Sequence, residues 1–261
     1  MRESADTLES FYAAPLGRMA QRMVLRRLQS LWPDLAGNNA LGFGYAAPFL
    51  DAYRKSANRI VFAAPAEQGA IAHRSSRGVM ACVTDETRLP FSDATFDRVL
   101  CVHAFEEADD LRGLLRELWR VTQPEGRIVV VAAGRSGLWS RMDHLPFGAG
   151  RPFSRGQLRR RLIQAGFTPT VGAGALYGPP LSRLSGVKIA YGFERFGETV
   201  WPGFAGLVMV EGVRRLYVEP DRLEEAKVRA PLFGTSAQPS LDRQSSSKYR
   251  WHDDDTDKHP S

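Results

Sequence analysis

Two glycines, two acids and one histidine are the residues of this sequence whose types and spacing could carry out chemistry. Gly42 and Gly44 stand one residue apart in ALGFGYAAPF, where absent side chains would let a ligand approach the backbone closely. Asp85 and Glu86 follow an apolar run, and a carboxylate there can accept hydrogen bonds from a ligand amine. His103 ends another apolar run and could act as a base near neutral pH.

The elements that must position these residues alternate between apolar strands and amphipathic helices. Parallel strands are predicted at about 39–42, 59–63, 79–83, 97–103 and 127–133, with the first beside the fourth, and a helix is predicted over 110–122. Such alternation indicates a parallel sheet covered on both faces. Ligands bind these sheets outside the carboxyl ends of the strands, so we expect the candidate residues at one edge.

The remaining segments predict further helices and one closing strand. An amphipathic helix broken near Pro15 is predicted over 4–31, and a strand over 204–218. Further helices are predicted over 47–57, 154–167 and 180–197, the second with Ser154 and Gly166 as its caps. An acidic run from Glu106 to Asp110 precedes the helix at 110–122, and favourable interaction with the helix dipole accounts for it.

The composition excludes several classes of protein. The apolar fraction of 43% is enough for a large core, and no run of 18 uncharged apolar residues predicts a transmembrane helix. The acidic N-terminus lacks the apolar segment of a secretion signal, so we expect a cytoplasmic protein. Cys82 and Cys101 lie in apolar stretches without zinc spacing, which predicts reduced core thiols and no metal site. The net charge of +6 is attributed to a solvated surface, and no nucleic-acid partner is expected.

The most specific pattern lies in residues 85–131. An acid precedes an L-P-F turn, a D-x-x-F-D turn leads into a strand, and a helix with L-R-E and R-V leads through Pro and Gly into the next strand. The matching residues are Leu89, Pro90, Phe91, Asp93, Phe96, Asp97, Leu115, Arg116, Glu117, Arg120, Val121, Pro124 and Gly126. This segment resembles the class I S-adenosylmethionine (SAM)-dependent methyltransferases of the ubiquinone/menaquinone type. The resemblance extends more weakly from about 38 to 218.

The resemblance implies a Rossmann-like α/β fold, a seven-stranded, mostly parallel sheet whose last strand is antiparallel. It implies SAM as cofactor, a small-molecule methyl acceptor, and cofactor contacts from Gly42, Phe43, Gly44, Asp85, Glu86 and His103. His103, at the end of the fourth strand, is also the candidate catalytic residue. We divide the chain into an N-terminal helical cap (1–34), a methyltransferase-like domain (35–234) and a polar, disordered tail (235–261).

Three positions depart from the family pattern. Ala40 stands where an acid precedes the first glycine, and Ala46 stands at the third glycine. The second strand ends in Ala63 and Ala64 where the family has an acid for the ribose hydroxyls, and Glu67 is the nearest acid. Loss of that acceptor costs on the order of 1–3 kcal/mol of binding. These departures favour the alternative of a catalytically inactive binding or regulatory module. A nicotinamide-dependent enzyme is a weaker alternative, because the full G-x-G-x-x-G spacing is missing.

Overall fold

The computed structural model describes residues 2–70, 74–75, 78–79, 81–142, 144–180 and 187–215. Its strands are β1 (Asn39–Gly44), β2 (Arg59–Pro65), β3 (Arg74–Ser75), β4 (Gly78–Val79), β5 (Ala81–Thr84), β6 (Phe96–Val102), β7 (Thr122–Ala133), β8 (Phe167–Ala175) and β9 (Leu207–Arg214). Seven of them form one sheet in the order β5-β2-β1-β6-β7-β9-β8, and β3 pairs with β4 separately.

Strand β1 lies at the centre of the parallel part of the sheet. It is parallel to β2 and to β6, with Leu41 opposite both Val61 and Val99. Strands β5 and β7 extend the sheet in parallel on either side. Strand β9 runs antiparallel to both β7 and β8. The predicted mostly parallel sheet with an antiparallel last strand is therefore confirmed, as is the predicted pairing of strand 39–42 with strand 97–103.

Helices cover both faces of the sheet. They are α1 (Ala5–Ala13), α2 (Pro15–Leu31), α3 (Ala47–Leu50), α4 (Leu111–Val121), α5 (Arg155–Gln164) and α6 (Val187–Val200), with single 3-10 turns at Asp51–Tyr53, Trp139–Arg141 and Pro202–Phe204. Side chains alternate along β6, so that Leu100 and Val102 pack with α1 to α3 while Val99 and Cys101 pack with α4 and α5. Burying a leucine in this way contributes about 1.5–3 kcal/mol.

One predicted helix break is present in the structure, and one predicted helix is shorter than expected. The break expected near Pro15 within 4–31 separates α1 from α2, because Ala14 is extended (φ −77°, ψ 157°) and Pro15 begins α2. The helix predicted over 47–57 stops after one α turn and one 3-10 turn. It stops there because Ala57 pairs with Ala36 and the chain must turn back to start β2 at Arg59.

The other predicted elements agree with the structure where it describes them. Ser154 caps α5, since its side chain accepts from Gln157 N, and Gly166 follows the helix with φ +89°. The predicted tail at 235–261 lies outside the described residues. The proposed boundaries of a cap at 1–34 and a domain at 35–234 stay predictions.

Candidate cofactor site at the carboxyl edge of the sheet

The carboxyl ends of β1, β2, β5, β6 and β7 meet at one edge of the sheet, which we call the carboxyl edge. Hydrogen bonds join the turns that follow these strands. Tyr45 N donates to Val102 O (2.8 Å), and Gln68 Nε2 donates to His103 O (3.3 Å). The turns after β1, β2 and β6 are therefore in direct contact.

A glycine is required at position 44 because the backbone at the end of β6 lies very close to it. Gly44 has φ +74°, and a Cβ there would overlap Val102 O and lie 3.0 Å from Ala104 Cβ. Both the left-handed conformation and the absent side chain thus let the end of β1 close on the end of β6. The space that a side chain at Gly44 would need is filled by β6 and the turn after it, and the predicted contact of Gly44 with a ligand stays a prediction.

Gly42 and Phe43 are also occupied by packing. A Cβ on Gly42 would lie 2.8 Å from Phe62 Cδ1 and 2.9 Å from Ala46 Cβ, so this glycine lets α3 approach the sheet. The Phe43 side chain is fully buried in the core beneath α4 and α5. The side-chain positions of this motif are therefore taken up by packing within the protein, and any ligand contact there would be made by the backbone.

His103 lies at the carboxyl edge with its ring covered by protein. Its backbone is left-handed (φ +49°), and its Nε2 hydrogen-bonds the Tyr12 hydroxyl at 2.8 Å. The ring stacks on Phe147 with centroids 4.7 Å apart and an interplanar angle of 27°. Burial lowers the pKa of His103 to about 3, so the imidazole is neutral at physiological pH. A neutral imidazole can accept a hydrogen bond, but a pKa of about 3 makes it a weak base near neutral pH. The predicted role of His103 as a base stays a prediction.

Glu106 is a buried acid that sequence reasoning missed as a functional candidate. Its Oε1 accepts from Ala133 N at the end of β7 (2.8 Å), and its Oε2 has no partner among the described residues. Burial raises the pKa of Glu106 to about 7, although the hydrogen bond from Ala133 N opposes this. The helix dipole does not account for this acid, because α4 begins at Leu111 with Asp110 as its cap. The available signal was its apolar surroundings, in the sequence AFEEA.

The two predicted acids after β5 differ in their exposure and in their hydrogen-bond partners. Asp85 is exposed, and its Oδ1 accepts from Thr87 N and Oγ1, both at 2.7 Å. The hydrogen bond from Thr87 N, with that from its hydroxyl, lowers the pKa of Asp85. Glu86 is buried, its Oε1 accepts from Asp110 N (2.8 Å), and its Oε2 is paired with the Arg2 guanidinium. Glu86 is thus held inside the edge, whereas Asp85 faces outward.

The end of β2 carries no acid at the position where the family pattern has one for the ribose hydroxyls. The strand finishes with Ala63, Ala64 and Pro65, whose side chains cannot accept a hydrogen bond. Glu67 follows in the next turn, where its carboxylate lies 3.7 Å from Arg2 Nε. The acid nearest to the expected position therefore faces a guanidinium of this chain.

One cavity lined by described residues at this edge is too small for SAM. The cavity between the ends of β1, β2 and β5, lined by Gly44, Phe62 and Ala63 among others, has a volume of about 20 Å³. That volume suits one water, which needs roughly 10–15 Å³, whereas pockets for small molecules measure about 300–1,000 Å³. Residues 2–13, which we call the N-terminal strap, contact Glu86, Gln68 and His103 at this edge. The strap occupies the side of the edge where the family pattern places the cofactor.

Comparison with known proteins agrees with the fold and with the central motif. The fold is similar to that of a SAM-dependent methyltransferase of Thermotoga maritima, described as a possible histamine N-methyltransferase. The TM-score is 0.59 at 21% identity, over 79% of this chain and 94% of that chain. A putative methyltransferase of Haloferax volcanii, in complex with the methyltransferase activator Trm112, gives 0.55 at 16% identity, over 80% and 97%. The described chain therefore has the class I methyltransferase fold.

The family match is narrower than the fold match. Residues 40–130 match the family described as a methyltransferase domain. A demethylmenaquinone methyltransferase of Mycolicibacterium paratuberculosis is 36% identical over 104 residues, which is 36% of this chain and 45% of that protein. Another of Deinococcus radiodurans is 40% identical over 65 residues, 24% and 27% of the two chains. The chain thus spans less than half the length of these relatives, and its similarity to the methyltransferase-domain family lies in residues 40–130.

Proposed function

We propose that this protein is a SAM-dependent methyltransferase that acts on a small molecule. The observation that carries the proposal is the family match over 40–130, which spans β1 to β7 and includes every turn at the carboxyl edge except the one after β7. The residues proposed for the cofactor are the backbone at Gly42, Phe43 and Gly44, together with Asp85 and Glu86. Because Glu86 is paired with Arg2 and the cavity beside Gly44 has a volume of about 20 Å³, we expect binding to require movement of the N-terminal strap.

We further propose that the acceptor is a hydroxylated aromatic ring of the quinol type. The relatives are named demethylmenaquinone methyltransferases, which supports a quinone-derived acceptor. The surroundings of His103 support a flat ring, since Phe147 stacks on the imidazole and Trp139 lies edge-on to Phe147 with centroids 5.7 Å apart. His103 Nε2 already hydrogen-bonds a phenol hydroxyl, that of Tyr12. The same nitrogen is proposed to bind the hydroxyl of the acceptor.

The alternative of a catalytically inactive module gains no support from the named relatives, which are methyltransferases. The absent acids at Ala40 and at Ala63–Ala64 remain compatible with catalysis, because binding, positioning and a base are all that the protein must supply. We expect these absences to weaken cofactor binding, as argued from the lost ribose acceptor.

The proposal is tested with radiolabelled SAM and a naphthohydroquinone that carries no ring methyl group. The full chain should transfer label to the quinol and release S-adenosylhomocysteine (SAH). His103→Asn, which keeps a side chain of similar shape without the basic nitrogen, should slow transfer by about 10²-fold or more. Arg22→Ser, on the exposed side of α2, serves as the matched control. Cofactor binding without transfer to any quinol would refute the acceptor but not the class; equal rates for His103→Asn and wild type would refute the role of His103.

A further inference from the structure

The N-terminal strap carries a polar end that closes the cofactor side of the carboxyl edge. The Arg2 guanidinium is buried, paired with Glu86, and lies 3.7 Å from the Glu67 carboxylate. Glu3 N donates to the Glu107 carboxylate (3.0 Å), and Ala5 N donates to Gln68 O (2.8 Å). These contacts bind the strap to the turns after β2, β5 and β6. Glu86, which is proposed to contact the cofactor, and Glu67 after β2 are thereby paired with a side chain of the same protein.

The other end of the strap is aromatic and covers His103. The Tyr12 ring stacks on Tyr45, with centroids 5.6 Å apart and an interplanar angle of 11°, and its hydroxyl bonds His103 Nε2. Phe11 packs edge-on against Phe147 at 5.8 Å. A phenol ring of the chain thus occupies the aromatic surroundings of the proposed acceptor. The strap covers both parts of the proposed site at once.

The closed interface leaves several polar atoms without partners. Arg2 Nη1, Gln68 Oε1 and Glu106 Oε2 are buried and have no hydrogen bond within the described part of the chain. Buried polar groups without partners are costly, so this closure is less favourable than a fully satisfied interface. The same atoms can regain partners from water or from a ligand when the strap withdraws.

The connection to α2 allows the strap to move as a unit. Ala14 is extended, and α1 and α2 are separate helices on either side of it. Rotation at Ala14 would keep the helical hydrogen bonds within α2, because Pro15 donates no backbone hydrogen bond. It would break the hydrogen bond from Arg18 to Ala13 O and the close packing of Gly17 against Phe11 O. Hinges are typically a few residues at the ends of elements, as here.

We propose that the N-terminal strap is an autoinhibitory segment that must leave the carboxyl edge before SAM or SAH can bind. This inference rests on the proposed function. A ligand that binds the open form alone has an apparent dissociation constant equal to the intrinsic one divided by the open fraction. Substitutions that weaken the closed strap must therefore tighten cofactor binding, whereas loss of ordinary supporting contacts would weaken it.

The first experiment measures SAH binding by equilibrium dialysis with the full chain and two strap variants. Arg2→Ser leaves Glu86 buried without its guanidinium in the closed form, and Tyr12→Ala removes both the ring and the hydrogen bond to His103. Each variant should bind SAH about tenfold more tightly or better than wild type. Arg22→Ser, exposed on α2, should bind as wild type does. Equal or weaker binding by variants that keep the wild-type circular dichroism spectrum would overturn the proposal.

The second experiment uses the wild-type chain alone, so its result does not depend on whether a variant folds. Amide hydrogen exchange of the wild-type chain is followed with and without saturating SAH. Exchange should rise about tenfold or more in α1, including Ala5 N, and stay unchanged in α4 on the other face of the sheet. Slower or unchanged exchange in α1 while SAH is bound overturns the strap and leaves the proposed function standing. Absence of SAH binding in wild type and in both variants at millimolar ligand overturns the proposed function and the strap with it.

Discussion

Replacement of Glu106 by glutamine tests the electrostatics of the carboxyl edge in isolation. The carboxyl is buried, with Oε1 bound to Ala133 N and Oε2 unpartnered among the described residues. Burial raises the pKa of Glu106 from its ordinary 4.5 to about 7, so the folded protein holds a proton that the unfolded chain releases. Glutamine has the shape of the protonated acid, keeps an acceptor for Ala133 N, and cannot ionise.

The size and sign of the effect follow from linkage. A carboxyl whose folded pKa is raised contributes its full stability below the unfolded pKa and loses it as pH rises through the folded pKa. Each pKa unit corresponds to about 1.4 kcal/mol, so the interval from 4.5 to about 7 corresponds to about 3 kcal/mol. The pKa of His103 is lowered to about 3 by burial, which gives stability an opposite slope over part of this range. That slope is shared by both proteins and cancels in their difference.

The assay is urea unfolding of wild type and Glu106→Gln at a series of pH values. The variant should gain about 3 kcal/mol of unfolding free energy relative to wild type between pH 4.5 and pH 7.5. Glu125→Gln, at an exposed glutamate, should leave the difference from wild type flat with pH. A flat difference for Glu106→Gln, or one of the opposite sign, would refute the reasoning that this acid is protonated in the fold.

Three further substitutions probe the framework of the site. Gly44→Ala should lower the free energy of unfolding by about 2 kcal/mol or more, because its positive φ and its overlap with Val102 O both oppose a Cβ; unchanged urea stability would contradict this. Arg120→Lys should cost about 1–3 kcal/mol, because lysine cannot reproduce the fork that binds Glu117 together with the carbonyls of the L-P-F turn; a melting temperature equal to that of wild type would refute it. Glu211→Ala should cost about 1–3 kcal/mol, since Trp32 Nε1 loses its buried acceptor at 3.0 Å; a neutral result in thermal unfolding would count against this bond.

The central motif could be predicted from the sequence because its residues stabilise local structure. Arg120 on α4 donates to the Leu89 and Phe91 carbonyls, which holds the L-P-F turn against the helix. Asp97, at the start of β6, accepts from Asn39 N at 2.8 Å and sets the register with β1. The first contact lies within the motif of residues 85–131, whereas the second joins Asp97 of that motif to Asn39 in β1. The residue types within the motif have fixed places in its turn, strand and helix, which is why they identify the fold.

The state of the candidate site could not be predicted, because it depends on contacts between residues far apart in the chain. The Arg2–Glu86 pair spans 84 residues and the Tyr12–His103 bond spans 91, and neither follows from a local pattern. The presence of a glycine in the motif also does not reveal whether a ligand binds there. The absent side chain of Gly44 serves a close backbone neighbour in the structure, whereas a bound ligand would require the same absence.

Cross-linking of SAM to the full chain by ultraviolet light tests the central claim most directly, because it reports binding and its location together. A radiolabelled methyl group marks the peptides in contact with the cofactor, and mass spectrometry identifies them. We expect label in the turns at the carboxyl edge, within residues 42–47, 65–69, 85–86 and 103–106, and competition of the label by unlabelled SAH. Label that is absent at millimolar SAM, or confined to peptides away from the carboxyl edge, would contradict the account.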